Sequence, residues 1–235
     1  MSERIQQLEK LIEMDDRETL TELLPQTNPS DIAELLDHMS NEQQAFTISL
    51  LDDELLSDVL VETEVDVQLK LLAQLPIKYQ AVLIEDMASD DAVDILLDLT
   101  EERADEILNE LNEDLRLNLK QLLTFDEESA GGIMTSELTA LPGHFTVKAA
   151  RQAIAKADLK DPIMSVYIID ASSGTLKGYV NVVQIISADA NSRLDEHLID
   201  DYIWASVDTD QEVIANNFRK YNLWVMPVVD EKHRL

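Results

Sequence analysis

Ser129-Ala130-Gly131-Gly132-Ile133-Met134-Thr135 is where two kinds of sequence meet. Gly131 and Gly132 are the first glycines in the chain, and the other three (Gly143, Gly174 and Gly178) follow them. Upstream, residues 1–128 hold 34 acidic and 8 basic side chains, a net of −26. Downstream, residues 129–235 hold 14 acids and 10 bases, a net of −4. A change in composition this sharp reads as a domain boundary, with one domain over 1–129 and the next from 130.

Reading back from the boundary, the chain is helical. From residue 3 to about 124 no glycine interrupts it, and Pro25, Pro29 and Pro76 fall where helices begin or end. Asn28-Pro29-Ser30-Asp31 and Ser89-Asp90-Asp91 read as helix starts, and Ser40 with Gln43 has the form of a capping box. Apolar residues recur at three and four, as in Ile32, Leu35, Leu36, Met39 and in Val93, Leu96, Leu97. Ala33-Glu34-Leu35-Leu36, Ser57-Asp58-Val59-Leu60 and Val93-Asp94-Ile95-Leu96 share one pattern, at intervals of 24 and then 36 residues. Short helices with such recurrence predict stacked helical hairpins in a superhelix, with a plain bundle as the alternative.

The acids are densest from Glu85 to Asp114, where 13 acids face a single base, Arg103. Asp90 and Asp94 stand four apart, hence on one helix face, where like charges repel. At 4 Å two such charges repel by about 4 kcal/mol at an effective dielectric near 20. Oxygen donors without thiolates suit hard cations such as Mg²⁺ or Ca²⁺ rather than zinc or copper. A charge run alone is more commonly a solvated face, and no EF-hand loop is present to name a metal.

Reading forward, the period changes. Leu138–Leu141 reads as a short strand, Thr146-Val147 as a helix start, and Val166–Asp170 as a buried strand. Ala171–Gly174 is a turn, Leu176–Val180 the strand paired across it, and Val182–Ile186 a helix start. The order then restarts 60–64 residues later with Trp204–Val207, a cap at Thr209-Asp210, and Met226–Asp230. The second copy stops at Leu235, so the chain reads as part of something longer, with one unit over 130–198 and a truncated one over 199–235.

The bulk properties exclude several classes. With no cysteine there is no disulfide framework, thiolate metal site or cysteine nucleophile. A net charge of −30 opposes nucleic acid and anionic membrane surfaces, leaving cations or basic partners. No apolar run reaches the roughly 18–20 residues of a membrane span, and Met1–Lys10 has no signal-peptide core, so the chain reads as soluble. His38, His144, His197 and His233 are not at ligand spacing, and no nucleophile elbow or phosphate-binding glycine pattern occurs. No catalytic set can be assembled, and the chain does not read as an enzyme. Trp204 and Trp224 are expected to pack in the core or in a dimer face.

The two downstream copies resemble tandem CBS domains, each with a strand, a capped helix and a Val-Val-Asp or Ile-Ile-Asp strand. The join Ala130-Gly131-Gly132-Ile133-Met134-Thr135 resembles the A-G-G-x-M-T signature of MgtE magnesium transporters, where an acidic helical N domain passes into a CBS pair. The resemblance covers nearly the whole chain. It implies an α plus α/β architecture: an all-helical superhelical N domain, then two CBS units. It also implies the cytoplasmic Mg²⁺-sensing part of a cell-membrane channel, homodimeric through its CBS domains and continuing beyond Leu235 into a transmembrane domain. High Mg²⁺ would draw the N domain onto the CBS pair and close the pore. The positions matching the family's metal ligands are Asp58, Asp90, Asp94, Gly132 and Glu212. A further family acid falls at Asn222, which brings no charge. Some CBS pairs hold adenine nucleotides through an aspartate after the second strand. Here Asn181-Val182-Val183-Gln184 lacks that acid. The alternatives are a nucleotide-sensing CBS module and a helical protein-interaction scaffold.

Overall fold

The computed structural model describes residues 3–157 and 163–235. The chain forms two compact bodies, residues 1–87 with 91–117, and residues 88–90 with 118–235.

The helices are short: α1 (Glu3–Glu13), α2 (Arg17–Leu23), α3 (Pro29–Asp37), α4 (Asn41–Ile48), α5 (Asp53–Glu62), α6 (Val65–Gln74), α7 (Ile77–Asp86), α8 (Ser89–Asp98), α9 (Glu101–Glu110) and α10 (Glu113–Leu122) build the first body, except that the start of α8 (Ser89 and Asp90) and the end of α10 (from Asn118) belong to the second. From α2 to α10 the helices begin at 17, 29, 41, 53, 65, 77, 89, 101 and 113, so every start falls 12 residues after the last. Alternate helices pack in succession, α3 on α5, α5 on α7 and α7 on α9. That is a stack of helical hairpins, each unit leaning on its neighbours, rather than a bundle around one axis. The intervals of 24 and 36 between the three sequence matches are two and three multiples of this 12. Ala33, Ser57 and Val93 each occupy the fifth residue of their helix.

Local chemistry fixes the starts. Asn28 Oδ1 accepts the Ser30 N–H with Pro29 at the first helical position, and Ser40 with Gln43 forms the expected capping box. Asp52 caps α5 and Thr100 caps α9. Leu36, Leu60, Leu72 and Leu83 are fully buried, each such side chain stabilising by about 1.5–3 kcal/mol. A second device recurs in the seams. Gln44, Gln68 and Gln80, each the fourth residue of its helix, donate Nε2 to the carbonyls of Leu36, Leu60 and Leu72, eight residues back. Those carbonyls lie in the last turn of the preceding helix, where the usual donor four residues on is missing, and each also takes a backbone N–H from three residues on, at Met39, Thr63 and Leu75. A buried amide therefore joins consecutive helices.

In the second body, β1 (Ala140–Pro142), β2 (Ser165–Ile169) and β3 (Leu176–Asn181) form one sheet in that order. β1 runs parallel to β2, with Ala140 opposite Tyr167, and β2 runs antiparallel to β3, with Val166 opposite Val180. Helices α11 (Val147–Ile154) and α12 (Val182–Ser187) pack on each other. Val147, Ala150, Val166, Ile168, Val180, Ile185 and Leu194 form their common core. The second copy follows the same order as far as it goes: β4 (Ala205–Ser206), α13 (Gln211–Tyr221) and β5 (Val228–Val229), with β4 parallel to β5. This is the strand–helix–strand order expected of the CBS units.

The join completes the second copy rather than the first. The N–H groups of Ala130 and Gly131 reach the carbonyls of Thr209 and Val207, and the Gln211 N–H reaches the carbonyl of Glu128. Ala130 is buried with Ala205 and Ile214 against Phe218, Met226 and Val228. The two copies meet through Tyr167, Leu176 and Val229, and the Leu176 N–H donates to the His233 carbonyl. Burial there pushes the Tyr167 phenol up to about 12.

Candidate functional site

Helix α8 carries the densest acids. Asp90 and Asp94 share a face one turn apart, with Asp94 exposed and Asp90 half-buried. The opposite face holds them in place, since Ala92, Val93, Ile95 and Leu96 are buried. Asp58 is exposed on α5, next to Ser57, whose hydroxyl is buried and donates to the Leu83 carbonyl of α7.

Gly132 and Glu212 belong to the join. A Cβ on Gly132 would run into the Asp126 carbonyl oxygen and the Glu127 backbone, so the chain closes there as only glycine permits. Glu212 is exposed in the first turn of α13, where its N–H donates to the Asp210 carboxylate that caps the helix. Gln211 beside it is the residue that pairs with Glu128. Gly132 and Glu212 are thus each at or next to a contact with the 126–128 turn. Of the five expected positions, Asp90 and Asp94 share one helix face, Gly132 lies against the 126–128 turn, Glu212 follows a residue bonded to that turn, and Asp58 stands on a helix of its own. Among the described residues, no three His, Cys, Asp or Glu side chains come together as a metal cluster. The donor set, carboxylate and carbonyl oxygen, fits a hard cation that keeps part of its water shell.

Some expectations hold on contact with the structure and others change. Ser89 opens α8 as the helix start expected of Ser89-Asp90-Asp91, and it is 1% exposed. Its N–H and hydroxyl both donate to Glu137 Oε2, at 3.3 and 2.9 Å. Glu137 gives no signal in the sequence, because a cap supplied from 48 residues away leaves no local pattern. Asn222 ends α13 in the left-handed region at φ 52°, its N–H bonded to the Phe218 carbonyl. Asparagine tolerates that conformation better than most residues, which accounts for it without a metal. Trp204 is half-exposed with its ring edge-on to His233, and Trp224 is largely exposed, so neither lies in the core. His197 meets Ser192 and His233 meets the Tyr202 hydroxyl, contacts that tie loops together.

Two carboxylates at equivalent strand ends are strongly shifted. The Ser172 hydroxyl and the N–H groups of Ser172 and Ser173 hold Asp170 well below the usual carboxylate range. The Arg234 guanidinium lowers Asp230 to about 2. Both shape turns after β2 and β5. At the start of α12, Asn181 and Gln184 are engaged with each other's backbone in a capping box.

A stack of acidic helical hairpins followed by paired β-α-β units defines a class: an acidic helical domain joined to CBS-like units, its surface rich in carboxylate oxygens. Residues 27–128 match the profile of the MgtE intracellular N domain. The chain is 28% identical over 232 residues to the magnesium transporter MgtE of Thermus thermophilus, covering 97% of this chain and 51% of that protein. It is 25% identical over 214 residues to the magnesium transporter MgtE of Bacillus subtilis, covering 91% of this chain and 47% of that one. The chain thus spans about half the length of the curated relatives it matches. Among solved structures it is similar to the cytosolic domain of the Mg²⁺ channel MgtE in complex with ATP, at 28% identity and TM-score 0.88, covering 97% of this chain and 93% of that one. The soluble part of a magnesium transporter shares the fold at TM-score 0.88 and 24% identity, covering 99% and 92%. Residues 27–128 thus match an MgtE intracellular N domain, and nearly the whole chain is similar to the cytosolic part of MgtE magnesium transporters. Among the described residues no helix is long and apolar enough to cross a membrane.

Proposed function

We propose that this chain is the Mg²⁺-sensing regulatory region of a magnesium channel, and that ion binding closes the N domain (1–129) onto the CBS units (130–198 and 199–235). The observation that carries the reading is the likeness, over 97% of this chain, to the cytosolic domain of a Mg²⁺ channel, together with the acidic face of α8. Asp58, Asp90, Asp94, the Gly132 carbonyl and Glu212 are the proposed ligands. The partners are a second copy, joined through the CBS units, and a transmembrane domain beyond Leu235.

The energetics are sufficient. Moving a two-state equilibrium from 1:99 to 99:1 takes about 5.5 kcal/mol. One weakly bound ion at tenfold its dissociation constant supplies about 1.4 kcal/mol. About four such sites complete the switch, and a broad acidic face can provide weak sites in number. Mg²⁺ enters here as the signal. The residues' own part is to repel one another without it and to accept it when it is abundant.

A relative's crystals contain ATP, which makes nucleotide sensing the second reading. The α12 start argues against it, because Asn181 and Gln184 are used in capping and no acid stands there for a ribose. Calorimetry with Mg²⁺ and, separately, with ATP divides the readings. Heat on Mg²⁺ addition that falls in Asp90→Asn, with no heat from ATP alone, supports sensing of the ion. The reverse pattern favours the nucleotide. Silence in both, with capture of a basic protein, favours a scaffold.

A further inference from the structure

We propose that Glu137 is a positioning residue for α8: it caps this helix from the join and thereby sets where Asp90 and Asp94 stand. The inference rests on the sensing role proposed above.

The residue before α8 is Ala88, which has no side-chain acceptor to offer the first N–H groups. Asn28, Ser40, Asp52 and Thr100 cap α3, α4, α5 and α9 from the preceding residue, while α6 and α7 carry no side-chain cap. At α8 the acceptor arrives from the loop after the Gly-Gly join. Glu137 Oε2 takes both the Ser89 N–H and the Ser89 hydroxyl, and the Thr135 hydroxyl donates to the same oxygen.

The contact is the end of a directed chain. Asn118 on α10 donates Nδ2 to Ser136 Oγ at 2.6 Å. The Ser136 hydroxyl and N–H donate to Ser89 Oγ at 3.0 and 2.9 Å, and Ser89 donates onward to Glu137. Every hydroxyl in the chain both receives and gives, and the last acceptor is a carboxylate, the strongest acceptor available. A carboxylate at a helix N-terminus also interacts favourably with the helix dipole. Asp90 is the next residue along, and Asp94 is one turn further on the same face. The loop that carries the family's join signature thus grips the helix that carries the densest acids.

Amide hydrogen exchange on the whole chain, read at Ser89–Ala92 without Mg²⁺, tests the cap directly. Glu137→Ala is expected to speed exchange there by at least tenfold while α5 and α6 amides stay unchanged. Glu137→Asp is expected to recover part of the protection. Unchanged exchange in Glu137→Ala would overturn the cap. The second arm is the Mg²⁺ midpoint by calorimetry, with Asp98→Asn as a charge-matched control on the same helix. Glu137→Gln is expected to raise the midpoint several-fold more than the control does. An equal shift in both would reduce Glu137 to one more negative charge and overturn positioning. If the unaltered chain takes up no Mg²⁺, the sensing reading fails, and the exchange arm still decides the cap.

Discussion

The two bodies solve the same problem with opposite use of the chain. In the helical stack each seam is made by residues close in sequence: helices repeat every 12 residues, and buried glutamines reach back by eight. In the second body the decisive contacts span most of its length. Residues 128–131 pair with 207–211, Leu176 bonds to His233, and Glu137 reaches Ser89. A repetitive stack loses stability seam by seam, whereas a body closed by distant segments stands or falls on its closures. The acids sit mostly on the repetitive side, where a like-charge face can be carried by an uninterrupted apolar face behind it.

That contrast can be broken by mutation. The largest expected effect is at a seam of the stack. Leu60→Ala, at a fully buried position on α5, is expected to cost about 2–5 kcal/mol and to lower the melting of the helical body while the second body's transition holds. Gly132→Ala forces the join away from the Asp126 carbonyl. It is expected to cost about 1–3 kcal/mol, seen in the second body's transition by denaturant titration with a fluorescence probe at Trp204 or Trp224. Gln68→Met keeps the volume but leaves the Leu60 carbonyl with the Thr63 N–H alone, an expected cost of about 0.5–1.5 kcal/mol in urea unfolding.

Smaller effects sharpen the account of the charges. Asp94→Asn removes one i,i+4 repulsion with Asp90. It is expected to raise stability by about 0.2–0.5 kcal/mol in Mg²⁺-free buffer and to lose that advantage when Mg²⁺ is added. The smallest test is one of pH. Asp230 has its folded pKa depressed to about 2 by Arg234, against an ordinary value of about 3.9. Its contribution is therefore present above about 3.9 and lost as pH falls toward 2. In Arg234→Ala its titration, followed by NMR, is expected to move up toward the ordinary value.

Much of the fold was legible in residue order. The caps at Asn28 and Ser40, the strands around Val166–Ile169 and Leu176–Val180, and the start of α12 all follow from local chemistry. The 12-residue period was only half visible. Polar Gln44, Gln68 and Gln80 occupy buried positions where a search for apolar recurrence sees a gap. For the site, Asp90 and Asp94 were legible because helical spacing alone pairs them. Glu137 was not, since its partner is distant, and Gly132 showed as a glycine without showing what it avoids. Asn222 ends α13 in the left-handed region, a conformation asparagine tolerates, and brings no charge.

The most direct test of the central claim is small-angle scattering on the chain across a Mg²⁺ titration at fixed ionic strength, run beside Asp90→Asn/Asp94→Asn. The account predicts a smaller radius of gyration at millimolar Mg²⁺ in the unaltered chain, and a transition displaced to higher Mg²⁺ in the double variant. Identical profiles with and without Mg²⁺ would contradict it.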